Sequence, residues 1–97
     1  MYYRVDSNRE SCHGRYDIQL IPYNKKLPGI LIELKVLKKD VAENQIERAL
    51  EKTAQSALDQ IEKKQYVTEM RQEGILHFFK VGIAFYKKHV KLTSETE

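Results

Sequence analysis

Gly29-Ile30-Leu31-Ile32-Glu33-Leu34-Lys35-Val36-Leu37 decides the fold. A glycine opens the run, and the rest is apolar except for Glu33 and Lys35. A near-continuous apolar run of this length is what a central strand covered on both faces requires. Side chains alternate across a strand, so Glu33 and Lys35, two residues apart, share one face. Upstream, Arg15-Tyr16-Asp17-Ile18-Gln19-Leu20-Ile21 alternates with a period of two. Tyr16, Ile18 and Leu20 point one way and Asp17 and Gln19 the other, the pattern of a second strand. Pro22 ends it, and the Asn- and Lys-containing stretch 23–28 reads as a hairpin loop. Before it, Tyr2 to Val5 is a short β-prone stretch, and Asp6-Ser7-Asn8 carries turn chemistry.

Downstream the period changes. Ile46, Ala49, Leu50, Ala54, Ala57, Leu58 and Ile61 recur at steps of three and four, the stripe of an amphipathic helix. Asp40, with Glu43 three residues on, is the expected N-cap, and the helix is expected to reach Met70, with an irregular early part. Gly74 breaks it. Phe78 to Tyr86 is β-prone, with Val81, Ile83 and Phe85 on one face. Gly82 and Ala84 lie on the other, where a neighbour packs closely. Val90 to Leu92 adds a short last strand, and Thr93 to Glu97 is expected to fray. The expected fold class is α/β: a three-strand meander, a long helix crossing over one face, then one or two further strands.

The 97 residues suffice for one small domain and are too few for two. With 41% hydrophobic and 32% charged residues, the composition is globular rather than disordered. One cysteine, Cys12, excludes an intrachain disulfide and a cysteine-built zinc site. No apolar run approaches the ~20 residues of a membrane span, and the start shows no signal-peptide core, so a soluble, cytoplasmic protein is expected. The net charge of +3 is compatible with a phosphate partner without arguing for one. Lysines gather at 25–39 and at 80–91, and each cluster reads as a phosphate-facing patch or as ordinary solvated surface.

If the two strands pair as a hairpin, Asp17, Glu33 and Lys35 project from one side of the sheet. Burying unpaired charge costs several kcal/mol per ion, so such side chains need partners. Two carboxylates suit Mg²⁺, which keeps several waters and reaches substrate phosphate. Lys35 would then orient a water or stabilise charge on phosphorus. The plainer alternative is an ion pair between Glu33 and Lys35, with Asp17 exposed on an edge.

Five stretches in order bear on that choice. Ser7-Asn8-Arg9-Glu10-Ser11 precedes Gly14-Arg15-Tyr16-Asp17-Ile18, and Ile32-Glu33-Leu34-Lys35-Val36 follows a loop. Ala57-Leu58-Asp59-Gln60-Ile61 with Lys64 and Tyr66, then Gly82-Ile83-Ala84-Phe85, complete the series. Together they resemble the PD-(D/E)XK nuclease superfamily over roughly residues 3–92. The similarity is to the branch found as the C-terminal domain of ATPase-like bacterial proteins. The resemblance implies a restriction-endonuclease-like core in which Asp17 and Glu33 bind Mg²⁺ (or Mn²⁺) and Lys35 is the catalytic lysine. Gln60 matches a polar position that faces the site. Glu10 is a candidate extra ligand or a turn residue, Arg15 a partner of carboxylate or phosphate, and Lys64 a phosphate contact or a solvated lysine. Tyr66 is expected to pack on the sheet. Cys12 and His13 stand where the branch has a glycine, and a lone loop histidine is read as exposed.

The resemblance also implies a first core helix that this sequence lacks, and an ATPase-like domain upstream. The chain, residues 1–97, is therefore expected to be one nuclease-like domain and a C-terminal fragment. Its uncovered sheet would favour a homodimer. The leading functional expectation is a metal-dependent phosphodiesterase acting on nucleic acid, DNA first. The alternatives are a non-catalytic nucleic-acid-binding or assembly module accompanying an ATPase-like domain, and a metal-free domain in which Glu33 pairs with Lys35.

Overall fold

The computed structural model describes residues 2–10, 15–63 and 66–97. Among these residues, five strands form one sheet in chain order: β1 (Tyr3–Glu10), β2 (Arg15–Pro22), β3 (Gly29–Val36), β4 (Phe78–Tyr86) and β5 (His89–Thr96). The first three make an antiparallel meander, β4 runs parallel to β3, and β5 returns antiparallel. A parallel pair needs a crossover. Helices α1 (Ile46–Lys63) and α2 (Tyr66–Gln72) supply it, entered through a 3-10 turn at Glu43–Gln45.

The strands follow from the alternation of apolar and polar residues. Leu31, Glu33 and Lys35 of β3 are buried on the face that α1 covers. The 23–28 hairpin loop forms around Asn24, whose side chain accepts from the Lys26 amide (3.0 Å) while its carbonyl accepts from Leu27 (3.0 Å). Two stretches depart from the expectation. Asp6-Ser7-Asn8 is not a turn but mid-strand, because β1 pairs with β2 residue by residue from Tyr3↔Pro22 to Glu10↔Arg15. That ladder outweighs a local turn preference. Thr93 to Glu97 does not fray either. Strand β5 continues to Thr96, and Glu97 and Phe78 exchange two backbone hydrogen bonds of 2.9 Å each.

The helical stripe holds: Leu50, Ala54, Ala57, Leu58 and Ile61 are buried. The cap does not, since Ala42 stands at the N-cap of the 3-10 turn with no side-chain hydrogen bond and Asp40 lies outside it. The expected single helix to Met70 is two helices, and α2 ends at Gln72. Gly74 terminates α2 with φ 98° while Ile75 and Gly74 donate to the carbonyls of Met70 and Arg71 (3.1 and 3.0 Å). This is a Schellman cap, which needs a left-handed residue at that point.

The core has two parts on the α1 side. Leu31, Leu58, Ile61, Val67, Met70, Ile75 and Phe78 form one, and Leu50, Ala54, Ala84 and Tyr86 the other. Between them sits Gly82. A Cβ built there would fall 2.3 Å from the Ala54 carbonyl oxygen and 2.7 Å from the Leu58 nitrogen. The close packing expected at Gly82 is therefore the backbone of α1 itself. The opposite face of the sheet carries Ile18, Leu20, Ile30, Ile32 and Leu34, with Val36, Phe79, Val90 and Leu92 exposed. No described element covers it.

Lys80, fully buried, closes one end of the core. Its Nζ donates to Glu62 of α1 and to Glu97 (2.6 Å), and Arg71 of α2 reaches the other Glu97 oxygen (2.6 Å). Burial works against the Lys80 charge, but the hydrogen bonds and attraction of Glu62 and Glu97 outweigh it and raise the pKa above its ordinary value. The hydrogen bond from Lys80 holds Glu97 below the usual carboxylate range, against its partial burial, helped by the charges of Lys80 and Arg71.

Two outcomes are expected. Gly82→Ala should destabilise the fold by about 3 kcal/mol or more, measured by urea unfolding, because the clash is with backbone that cannot rotate away. A depressed carboxylate adds stability above its unfolded pKa and loses it as pH falls through the folded one. Wild-type stability should therefore drop on the acid side, below the ordinary glutamate range. Glu97→Gln should flatten that limb in a pH series of denaturation curves.

Candidate active site

Asp17 and Glu33 are direct partners in the β2–β3 ladder. Directly opposed residues of an antiparallel pair share a face, with Cβ atoms about 4.5–5.5 Å apart. Both carboxylates are buried on the helix side, Asp17 at 3% exposure and Glu33 at 0%. The exposed edge position considered for Asp17 is therefore excluded. Lys35 follows Glu33 on the same face at 9% exposure. The structure brings all three together.

Burial at this point is a consequence of β4. The β4 residue in register with Glu33 is Gly82, and Lys35 is in register with Ala84. Two small residues beside two charged ones let α1 settle onto the sheet and close over Glu33. The helix then supplies a polar neighbour. Lys35 Nζ donates to Ser56 Oγ at 2.9 Å. From α2, the Tyr66 hydroxyl donates to Asp17 Oδ2 at 2.9 Å while its ring packs against the core around Leu31 and Phe78.

Gln60 is half-buried, one helical turn beyond Ser56. Residues four apart lie on one side of a helix. Ser56 faces β3 through Lys35, whereas Glu47 and Glu51 face β5 through Lys91 (3.7 and 3.5 Å). Gln60 thus stands on the flank turned toward the carboxylates. Cys12, His13 and Lys64 lie outside the described residues, as do the side chains of Glu10 and Arg15.

Sequence reasoning missed Ser56 and took Tyr66 for a packing residue alone. Tyr66 does pack, and it also holds Asp17. A signal existed for Tyr66, a phenol expected to pack on the sheet, where a buried hydroxyl usually finds a partner; Ser56, at an exposed helical position, carried none.

The donor set fits a divalent ion of the Mg²⁺ type. Such an ion takes one or two carboxylates and completes its shell with water and substrate oxygens. Among the described residues no cluster of three or more His, Cys, Asp or Glu side chains occurs, and Asp17 and Glu33 are the two carboxylates that the β2–β3 ladder sets side by side.

A family model of the PD-(D/E)XK nuclease superfamily matches residues 1–95, nearly the whole chain. The chain belongs to the PD-(D/E)XK nuclease superfamily. No curated protein matches it, and no solved structure does. The five-strand sheet with one long helix agrees with the restriction-endonuclease-like fold of that superfamily. Membership makes this a nuclease-type domain, of a superfamily whose members act on nucleic acid and typically use divalent metal ions. Among the described residues no helix is long and apolar enough to cross a membrane.

The Tyr66–Asp17 bond should be measurable as a coupling. Tyr66→Phe keeps the ring and removes one hydrogen bond to a buried acid, a change worth about 1.5–3 kcal/mol. In a double-mutant cycle with Asp17→Asn, chemical denaturation should give a coupling of about 1 kcal/mol. Additive losses would mean that the hydroxyl does not hold this carboxylate.

Proposed function

We propose that this domain hydrolyses phosphodiester bonds of DNA with Mg²⁺ or Mn²⁺ held by Asp17 and Glu33. The observation that carries the reading is the juxtaposition of the two buried carboxylates across the β2–β3 ladder with Lys35 beside them. A divalent ion bound there would draw charge from the phosphoryl oxygens and lower the pKa of a water at the site.

The chain's own residues have distinct parts in this reading. Asp17 and Glu33 are the metal ligands. Tyr66 fixes which way the Asp17 carboxylate faces. Lys35 is the catalytic lysine, which orients the attacking water or stabilises the charge that grows on the phosphate. Ser56 limits where the long Lys35 side chain can place its nitrogen, so less orientation is left to be lost as the substrate reacts. Gln60 lines the same flank and is assigned to substrate or water positioning.

The choice of DNA and an ATPase-like domain in the same protein are parts of this reading that rest on the family resemblance, whereas the cytoplasmic setting rests on the composition, with its single cysteine. So does the treatment of residues 1–97 as one nuclease-like unit of a longer protein. A second copy would be expected on the apolar face opposite α1.

Calorimetric titration with Mg²⁺ and Mn²⁺ should show binding to the wild-type chain and none to Glu33→Ala. Metal should also raise the melting temperature of the wild type. With metal present, Asp17→Ala and Lys35→Ala should abolish DNA cleavage, Lys35→Ala while retaining the metal. Metal-independent melting and no binding in the wild type would sink the enzyme reading in favour of a Glu33–Lys35 structural pair. Nucleic-acid binding without cleavage, unchanged by these substitutions, would make the domain a binding module.

A further inference from the structure

The chain's two lysine clusters are rearranged by the fold. Strands β3 and β4 are parallel and in register, so the residues that follow each emerge at the same end of the sheet. Lys35 and Ala84 are register partners. Lys38 and Lys87 each lie three residues further on, about 10 Å along the strand direction at the usual rise. Lys39 and Lys88 come next. The hairpin pair Lys25 and Lys26 emerges at the opposite end, where β2 turns into β3. Lys35 and Lys80 are buried and take no part in the surface.

The Lys38-Lys39 segment is pinned beside the β4–β5 turn. Leu37 donates its amide to Phe85 (2.8 Å), and the Val41 amide donates to the Tyr86 hydroxyl (3.2 Å). Leu37 and Val41 pack against the core around Leu50 and Tyr86. In the turn, Lys87 has φ 52° and its ammonium lies 5.2 Å from the centroid of the Tyr86 ring. A positive φ at the first central position is what a tight two-residue hairpin needs. Two anchored segments, 49 residues apart in sequence, thus present four neighbouring lysines. All four are exposed, and none has a carboxylate within ion-pair distance among the described residues. Of the acids at this end, Glu47 and Glu51 are occupied by Lys91, and Asp40 and Glu43 follow in the segment that leads away to α1.

We infer that Lys38, Lys39, Lys87 and Lys88 form a rim that takes the phosphate backbone of a nucleic acid next to the Asp17–Glu33–Lys35 site. The inference rests on the nuclease reading only for the role of that site. The interactions are ammonium to phosphate, which position a strand without reading its sequence.

The test uses the full chain carrying Lys38→Gln, Lys39→Gln, Lys87→Asn and Lys88→Gln, asparagine being chosen because it tolerates a left-handed backbone. The comparison is Lys25→Gln with Lys26→Gln. Binding to a short DNA duplex and to an RNA duplex of the same sequence is measured by anisotropy over a salt series, with metal omitted. The rim variant should bind about tenfold more weakly or worse at low salt. Its log K against log salt slope should be shallower by about 3 to 4, one unit for each lysine–phosphate ion pair removed. The hairpin variant should stay near wild type, and both should keep the wild-type melting temperature. A wild-type slope in the rim variant, an equal loss per charge in the hairpin variant, or no duplex binding by the wild type would overturn the rim. Lysine-dependent binding to anionic vesicles without binding to DNA or RNA would overturn it too, assigning the four lysines to a membrane surface. Rim-dependent binding by a chain that never cleaves would remove the nuclease reading and leave the rim standing.

Discussion

Helix α1 rests its own backbone on β4 because Gly82 carries no Cβ, and the rest of the molecule is arranged around that contact. The same contact determines how far the helix lies from the sheet, and thereby which side chains fit beneath it. Glu33 stands in register with Gly82, so the closest approach of the helix falls over a carboxylate and removes it from water. A buried acid is tolerated only where other groups satisfy it or a cation does. The packing of one glycine and the chemistry of the neighbouring strand are therefore a single constraint.

The helices do more than cover the sheet. Ser56 and Tyr66 each extend one hydroxyl to a charged group on the strands, one to Lys35 and one to Asp17. Strand residues in a ladder are already fixed in backbone position, and these bonds fix the ends of the side chains as well. A site built on strands and braced from helices keeps its geometry better than one carried by loops. At the far end of α1, the buried Lys80 ties Glu62 of that helix to Glu97 beyond β5, with Arg71 of α2 on the same carboxylate. The ion cluster explains why the last residues continue a strand rather than fray. It also locks the two helices to the sheet at the end opposite the basic rim.

The architecture was legible in the sequence because it rests on periodicity. The period of two at Asp17–Leu20, the apolar run around Glu33 and Lys35, and the helical stripe from Ile46 to Ile61 each describe a face that must be buried. Their order allows few topologies. That Asp17 and Glu33 share a side followed from the hairpin and the alternation along each strand, while their direct opposition is the register of the folded ladder. Local propensity was less reliable. Asp6-Ser7-Asn8 has turn residues and forms strand, and Asp40 has a capping side chain and caps nothing. In both places the outcome was decided by ladder pairing and packing that a local reading does not contain.

By itself the sequence determined the sheet, the crossover helix, the family, and the side of the sheet on which Asp17, Glu33 and Lys35 lie. These depend on alternation along a strand and on motifs close in the chain. Only the tertiary structure decided that Ser56 and Tyr66 hold the charged groups, that Lys80 is interior, and that Lys38 and Lys39 stand beside Lys87 and Lys88. The physical reason is the parallel pairing of β3 with β4. It joins segments some fifty residues apart, and no local pattern of apolar and polar residues records which of them meet.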